Sequence, residues 1–146
     1  MRALLIALFV CISANAQSRE ELRNKYGSPV SETFSPRPGV FLTVSYADTG
    51  EVCEMIIHPQ QLTSAMDYPI TKTMQSQELT KIIDEMIPVK QRGKRLLGGF
   101  LDLMCLPLNN CYGVLDNYER VTITRIGGND KERYARIQWK ATPCHD

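Results

Sequence analysis

The chain has no excess of charge of either sign. It contains 17 lysine and arginine residues and 16 aspartate and glutamate residues, which gives a formal net charge of +1 at pH 7. Proteins that bind nucleic acid through its phosphates usually carry a clear basic excess. The composition therefore argues against nucleic acid as a partner, although a balanced total is compatible with local patches of charge.

Groups that commonly carry catalysis, metals or cofactors are scarce. Neither of the two histidines, His58 and His145, is flanked by a nucleophile motif such as G-x-S-x-G, so we interpret both as ordinary surface histidines. No G-x-G-x-x-G or Walker pattern occurs. Structural zinc sites favour cysteines with two to four residues between them, whereas five residues separate the closest pair, Cys105 and Cys111. We therefore expect no cofactor and no metal site.

A single apolar run stands at the start of the chain. Residues 1–16 combine a basic start, an apolar stretch of about ten residues and the exit Ala14-Asn15-Ala16. This combination predicts a secretory signal peptide cleaved after Ala16, because the stretch is shorter than the roughly 20 residues of a membrane-spanning helix. No second run of membrane length follows. We expect a secreted or periplasmic protein with no membrane span, in which residues 17–146 form a single small domain.

Four cysteines remain once the signal peptide is removed, and an oxidising compartment favours two disulfides. Four cysteines allow three connectivities. We predict that Cys105 pairs with Cys111, because the proline and the two asparagines between them favour a chain reversal. Cys53 would then pair with Cys144 and tie the C-terminus back across the predicted sheet.

Hydrophobic periodicity indicates helices and hairpins in alternation. Ser18 and Glu21 match a capping box, and the apolar residues between Leu79 and Ile87 recur at helical spacing after a predicted N-cap at Ser76. The predicted order is a helix from Ser18 to about Lys25, a hairpin of residues 40–46 and 53–58, a helix over residues 76–87, and a hairpin of residues 119–126 and 133–140. This order predicts an α+β fold, helix–hairpin–helix–hairpin (tandem αββ), whose antiparallel sheet carries helices on one face and is stapled by disulfides.

The tandem αββ order resembles that of β-lactamase inhibitory proteins. The residues Leu22, Gly27 and Pro29, placed before a predicted hairpin, are similar to the start of BamE-like outer-membrane assembly modules. The resemblance implies a protein inhibitor or an accessory protein of the cell envelope, although a shared fold does not determine function.

Asp48-Thr49-Gly50 matches the signature tripeptide of aspartic proteases. Those enzymes use two carboxylates that share a proton, so a chain this short would have to dimerise; Arg95-Leu96-Leu97-Gly98 resembles the apolar–apolar–Gly pattern of the retroviral-type enzymes. However, Glu51 stands where that family has a small residue, and a third carboxylate would disturb the pair. The tripeptide also separates two predicted strands, where turns favour Asp and Gly. We interpret Asp48 as a turn residue, with an extracytoplasmic hydrolase of aspartic-protease type as the alternative function.

Basic residues are concentrated in one short segment, residues 90–95, which is termed the basic loop. Such a cluster can bind an acidic partner. A protein partner is favoured over a small molecule, because no Gly-rich cradle or ligand motif is found. The sequence therefore predicts a small non-catalytic binding domain whose oligomeric state stays open. Its candidate binding residues are Arg37, Asp48, Lys90, Arg92, Lys94 and Arg95.

Overall fold

A computed structural model of the protein describes residues 18–60, 72–102, 112–128 and 131–144. The main feature of this part of the chain is one antiparallel sheet of eight strands, accompanied by short helices. Among the described helices, none has the length and apolar character needed to cross a membrane. The elements are α1 (Arg19–Tyr26), β1 (Ser31–Arg37), β2 (Val40–Tyr46), β3 (Val52–His58), β4 (Met74–Gln75), α2 (Ser76–Met86), α3 (Val89–Arg92), β5 (Gly99–Asp102), β6 (Tyr112–Asn117), β7 (Val121–Gly128) and β8 (Lys131–Trp139).

The predicted helix–hairpin–helix–hairpin α+β fold is wrong. The structure is mostly an eight-stranded antiparallel sheet with few short helices. The two predicted hairpins are present as β2–β3 and β7–β8, and the two predicted helices correspond to α1 and α2. The sequence pattern, however, does not indicate β1, β4, β5 and β6, which complete the sheet. The tandem αββ order, which resembles that of β-lactamase inhibitory proteins, therefore does not occur.

The missed strands lack the alternation of apolar and polar residues by which strands are recognised. Strand β1 is an edge strand of mostly exposed residues and contains Pro36, which edge strands tolerate because one side of the backbone needs no partner. Strand β5 is four residues long and begins with Gly99. Edge strands of this kind bury little side-chain area, so that sequence periodicity carries little information about them.

Strand β8 lies at the centre of the sheet. The strand order is β1-β2-β3-β8-β7-β6-β5, and β4 also pairs with β8. Strands β1 to β3 form one meander and strands β5 to β8 form another. The two meanders are joined by the pairing of β3 with β8, in which Met55 faces Ile137 and Ile57 faces Ala135.

Helix α2 covers the middle of one face of this sheet. Truncation of a buried Leu or Ile to alanine lowers the free energy of unfolding of a protein by about 2–5 kcal/mol. The packing of the apolar stripe of α2 therefore stabilises the helix more than the intrinsic helical propensity of its residues does. The core consists of apolar side chains from α2, the adjoining chain and the central strands: Val40, Ile57, Met74, Leu79, Ile82, Ile83, Ile87, Val121, Ile123, Ala135 and Ile137.

The start of α2 differs from the sequence prediction by one residue. Gln75 is the N-cap and makes no side-chain capping bond, whereas Ser76 is the first helical residue and its hydroxyl donates to Glu132 Oε1 at 3.1 Å. Glu132 is 1% exposed. An acidic side chain is stabilised at a helix N-terminus by the helix macrodipole. A residue of β8 therefore supports the start of α2 in place of a local cap.

The predicted disulfide between Cys53 and Cys144 is present, with the two Cα atoms 5.2 Å apart. Cys53 is buried in β3, and Cys144 lies beyond the end of β8. The bond therefore ties the chain after the central strand to the neighbouring strand. The other predicted pair, Cys105 with Cys111, and the predicted signal peptide both lie outside the described residues.

Replacing Cys53 and Cys144 together by alanine is expected to lower the free energy of unfolding by about 4–5 kcal/mol. The bond spans a sequence separation of 91 residues, and in the loop-entropy account a longer loop restrains the unfolded chain more. Urea unfolding of the oxidised proteins measures the change. The control is the double alanine variant at Cys105 and Cys111. The pairing predicted for these two cysteines would close a shorter loop, for which about 2–3 kcal/mol is expected. A larger loss in the control would contradict the prediction.

Candidate binding site

Asp48 lies in the turn between β2 and β3. Gly50 has a φ of 80°, and its N–H donates to the carbonyl of Ala47 at 2.8 Å. The N–H of Ala47 donates in turn to the carbonyl of Glu51 at 2.9 Å. A hairpin loop with a bulge needs such a left-handed residue. The backbone geometry is therefore that expected for a turn at Asp48.

The basic loop is not a uniformly solvated segment. Val89–Arg92 form helix α3, and Arg92 is only 6% exposed. Its Nε donates to the carbonyl of Ile87 at 2.8 Å, its Nη2 donates to Asp84 Oδ1 at 2.5 Å, and its guanidinium lies 5.7 Å from the ring centre of Tyr118. Arg92 thus connects the end of α2 with the chain after β6. The expectation of an exposed basic side chain is wrong for this residue.

The remaining candidate residues are divided between two parts of the molecule. Lys90 and Lys94 are exposed. The backbone of Lys94 is fixed on Glu119, whose Oε2 accepts from the Lys94 N–H at 2.9 Å and whose N–H donates to the Lys94 carbonyl at 3.0 Å. Arg37, at the end of β1, pairs instead with Glu85 of α2. Arg37 and Asp48 therefore belong to the meander of β1 to β3, whereas the basic loop precedes β5 at the other side of the sheet.

Arg95 belongs to a charged group of three residues, termed the charge cluster. Arg95 Nη2 lies 2.6 Å from Asp116 Oδ1, and Arg125 Nη2 lies 3.1 Å from Asp116 Oδ2. The Asp116 side chain is 14% exposed and that of Arg95 is 64% exposed. One carboxylate thus serves two guanidinium groups, and the charge cluster has a net positive charge.

Three exposed apolar side chains adjoin the charge cluster at the edge of the sheet. Leu96 is 46% exposed, and Leu97 and Phe100 are each 86% exposed. A hollow of about 400 Å³ is lined by Leu97 and Phe100 together with all three members of the charge cluster, so the apolar and charged parts are continuous. Exposed apolar groups bordered by polar residues are typical of interaction sites. Leu96, Leu97 and Phe100, with Lys94 and Arg95, are termed the β5 surface.

Sequence reasoning identified Lys94 and Arg95 but missed Asp116 and Arg125. The available signal was that Arg125 follows Val121 and Ile123 at a spacing of two, which places a charged residue on the apolar face of its strand. A charge in such a position requires a partner. No sequence pattern indicated that the partner would be Asp116 on β6.

His58 is buried, and the expectation of an ordinary surface histidine is wrong. It is 1% exposed, and its ring stacks on that of Phe41 with 6.0 Å between centroids. The carbonyl of Gln60 accepts from Nδ1, so in the neutral ring Nε2 accepts from the Thr43 hydroxyl, 3.1 Å away. Burial lowers the pKa of His58 below its usual value of 6.5, and the hydrogen bond to the Gln60 carbonyl opposes that shift only in part.

Metal-binding residues do not converge within the described ranges. No three His, Cys, Asp or Glu side chains there are grouped so that they could hold a metal ion. Arg95 and Arg125 instead form ion pairs with Asp116, and Arg92 forms one with Asp84.

Comparison with known protein families finds no match, and no curated protein matches the chain. Among solved structures, the chain is similar to a DUF4309 family protein (YjgB) from Bacillus subtilis subsp. subtilis str. 168. The two share 10% sequence identity and a TM-score of 0.38, over 86% of this chain and 80% of that chain. A likeness at this level carries no inference about function.

The turn at Asp48 predicts different outcomes for two substitutions. Asp48→Asn is expected to change the free energy of unfolding by less than about 0.5 kcal/mol, because Asn serves turns as well as Asp. Gly50→Val is expected to cost about 1–3 kcal/mol, because a β-branched residue would have to adopt a φ of 80°. Chemical denaturation measures both changes.

The control for Gly50→Val is Gly99→Val. At both glycines an added Cβ would have no heavy atom within 4 Å, so the two sites are equally open, but only Gly50 of the two has a positive φ. We expect the control to cost less. Acid-pH peptidase activity of the purified protein that Asp48→Asn abolishes would contradict the turn interpretation and favour the aspartic-protease alternative.

The lowered pKa of His58 predicts that the protein loses stability as the pH falls below about 6.5. The unfolded chain then binds a proton at His58 more readily than the folded protein does. The contribution of His58 to the stability of the fold is therefore complete above the pKa of His58 in the unfolded chain, and it decreases as the pH falls through the lower pKa of the folded protein. His58→Gln is expected to reduce the difference in melting temperature between pH 7 and pH 5. His145→Gln is the control, because His145 is the other histidine of the chain; an equal reduction in both variants would refute the assignment to His58.

Proposed function

We propose that this protein is a secreted or periplasmic, non-catalytic domain that binds a protein partner through the β5 surface. The observation that carries the proposal is the continuity of Leu97 and Phe100, each 86% exposed, with the charge cluster around a single hollow. The energetically dominant parts of protein interfaces combine apolar anchors with arginine and a polar rim.

The exposure of the apolar side chains favours a protein over a small molecule. Small-molecule sites are concave and bury most of the ligand among apolar side chains. Phe100 instead stands at the surface of the edge strand β5, and Leu97 is exposed in the chain just before it. A partner large enough to cover both of them, and flat enough to lie along a strand, is a protein segment.

The surroundings of the β5 surface favour a partner that carries negative charge. Lys90 and Lys94 are exposed and belong to the basic loop together with Arg95. The exposed Arg120 donates its backbone N–H to the carbonyl of Arg92 at 3.1 Å, and the charge cluster adds a net positive charge. Complementary charges raise the rate of association and set specificity more than they set affinity. The backbone of the basic loop is held by the bonds to Glu119, so little ordering entropy would be lost on binding.

Two features support an extracytoplasmic location. Residues 1–16 have the pattern of a secretory signal peptide. The disulfide between Cys53 and Cys144 is of the kind that persists in oxidising compartments. Fusion of residues 1–16 to a reporter that is active only outside the cytoplasm tests this part of the proposal.

Leu97→Asp and Phe100→Asp are each expected to weaken partner binding by about thirtyfold or more, because a central side chain of an interface is worth about 2 kcal/mol or more. The immobilised chain of residues 17–146 captures proteins from its own extracytoplasmic fraction. Each captured protein is identified and purified, and its Kd is then measured against the wild type and both variants.

The matched control is Val30→Asp, because Val30 is 80% exposed and precedes β1 at the opposite edge of the sheet. All three variants should keep the melting temperature of the wild type, since the replaced side chains lie at the surface. The proposal fails if the captured partner binds the Leu97→Asp and Phe100→Asp variants as tightly as it binds the control.

A further inference from the structure

The outer edge of β5 is open in the described part of the chain. β5 pairs with β6 on one side, and the strand order ends there. An open edge presents backbone N–H and C=O groups that can pair with another strand. The opposite edge strand, β1, contains Pro36 and an irregular register between Phe34 and Arg37, and both features hinder pairing. β5 has a regular register, so it is the better edge for accepting a strand.

The register of the sheet places two kinds of side chain beside this edge. Phe100 pairs with Val114, which pairs with Arg125 on β7. Two residues before Phe100, Gly98 leaves room for the guanidinium of Arg95, whose Nη2 would lie 3.4 Å from a Cβ added at Gly98. Gly98 precedes β5, and a Cβ added there would also lie 3.9 Å from Oδ1 of Asp116. Asp116 stands two residues from Val114 in β6 and therefore shares its face of the sheet. The same face of the edge therefore offers an apolar position at Phe100 and a cationic position at Gly98.

The cationic position can accept a further carboxylate. A guanidinium group has five N–H donors. Among the described residues, the guanidinium groups of Arg95 and Arg125 bond to Asp116 alone, and the Arg95 side chain is 64% exposed. An acidic side chain from outside would therefore complement both the net charge of the cluster and its remaining donors.

We infer, on the basis of the proposed function, that an extended segment of the partner adds to β5 as a strand. The segment carries an apolar side chain beside Phe100 and an acidic side chain two positions away, beside Arg95. Neighbouring side chains on adjacent strands interact directly, and the spacing of two applies to both parallel and antiparallel addition. Backbone pairing supplies the affinity, and the two side chains supply the specificity.

A blocked seven-residue peptide, Thr-Val-Thr-Val-Thr-Glu-Thr, is the probe. It is titrated into isotope-labelled protein of residues 17–146 while the backbone amide signals are followed by NMR. We expect saturable shifts at residues 98–102 and 112–117. A second peptide with lysine in place of glutamate is expected to bind about tenfold more weakly, because it brings a positive charge to the cationic position.

Arg95→Gln is expected to remove the difference between the two peptides, because it removes the charge that distinguishes them. The control is Lys25→Gln on α1, which should leave that difference unchanged. Phe100→Asp should weaken the binding of both peptides at β5, because it replaces the apolar contact by a charged side chain. Thermal unfolding of each variant confirms that it is folded before its titration is interpreted.

Several results would overturn the inference. Three of them concern the peptides: no peptide-induced shifts at β5, shifts confined to β1, or equal affinity of the wild type for both peptides. The fourth is self-association of the protein that Phe100→Asp abolishes, because this result would place a second copy of the chain on the edge of β5. Absent peptide binding together with lost partner binding in Phe100→Asp would refute strand addition and leave the proposed function standing. Peptide binding at β5 with unchanged partner binding in that variant would refute the proposed function itself.

Discussion

The pairing of β3 with β8 is the contact on which the rest of the sheet depends. Each meander can form from neighbouring segments of the chain, but neither alone offers the apolar face that α2 covers. In this pairing Met55 faces Ile137 and Ile57 faces Ala135, so the apolar faces of the two meanders become one continuous face. Contacts of such long sequence separation cost loop-closure entropy before they stabilise the fold. The disulfide from β3 to Cys144 restrains the same long loop in the unfolded chain.

The location of the candidate site follows from the way α2 packs on the joined sheet. The helix buries its apolar stripe against the central strands, and the buried Arg92 holds α3 against its C-terminal end. The chain then leaves α3 for the edge strand β5. Arg125 and Asp116 lie partly exposed between the core and that edge. A charged group thus comes to lie beside exposed apolar side chains, which is the combination that supports binding of a protein segment.

The basic loop shows how similar residues acquire different roles. In the sequence, Arg92, Lys94 and Arg95 are three cations of one segment. In the structure, Arg92 is buried on Asp84, Lys94 has an exposed side chain on a fixed backbone, and Arg95 reaches Asp116 on β6. The partners that separate these roles lie on elements distant in the chain. No local pattern around the arginines identifies them.

The sequence by itself determined the elements whose signals are local. The capping box at Ser18 predicted α1, the helical stripe from Leu79 predicted α2, and runs of period two predicted β2, β3, β7 and β8. Only the tertiary structure decided that β1, β5 and β6 extend the sheet, that His58 is buried, and that Arg125 shares a carboxylate with Arg95. The physical reason is that periodicity records which side of an element is buried. Strand partners, burial at an edge and ion pairs between strands depend on residues that are distant in the chain until it folds.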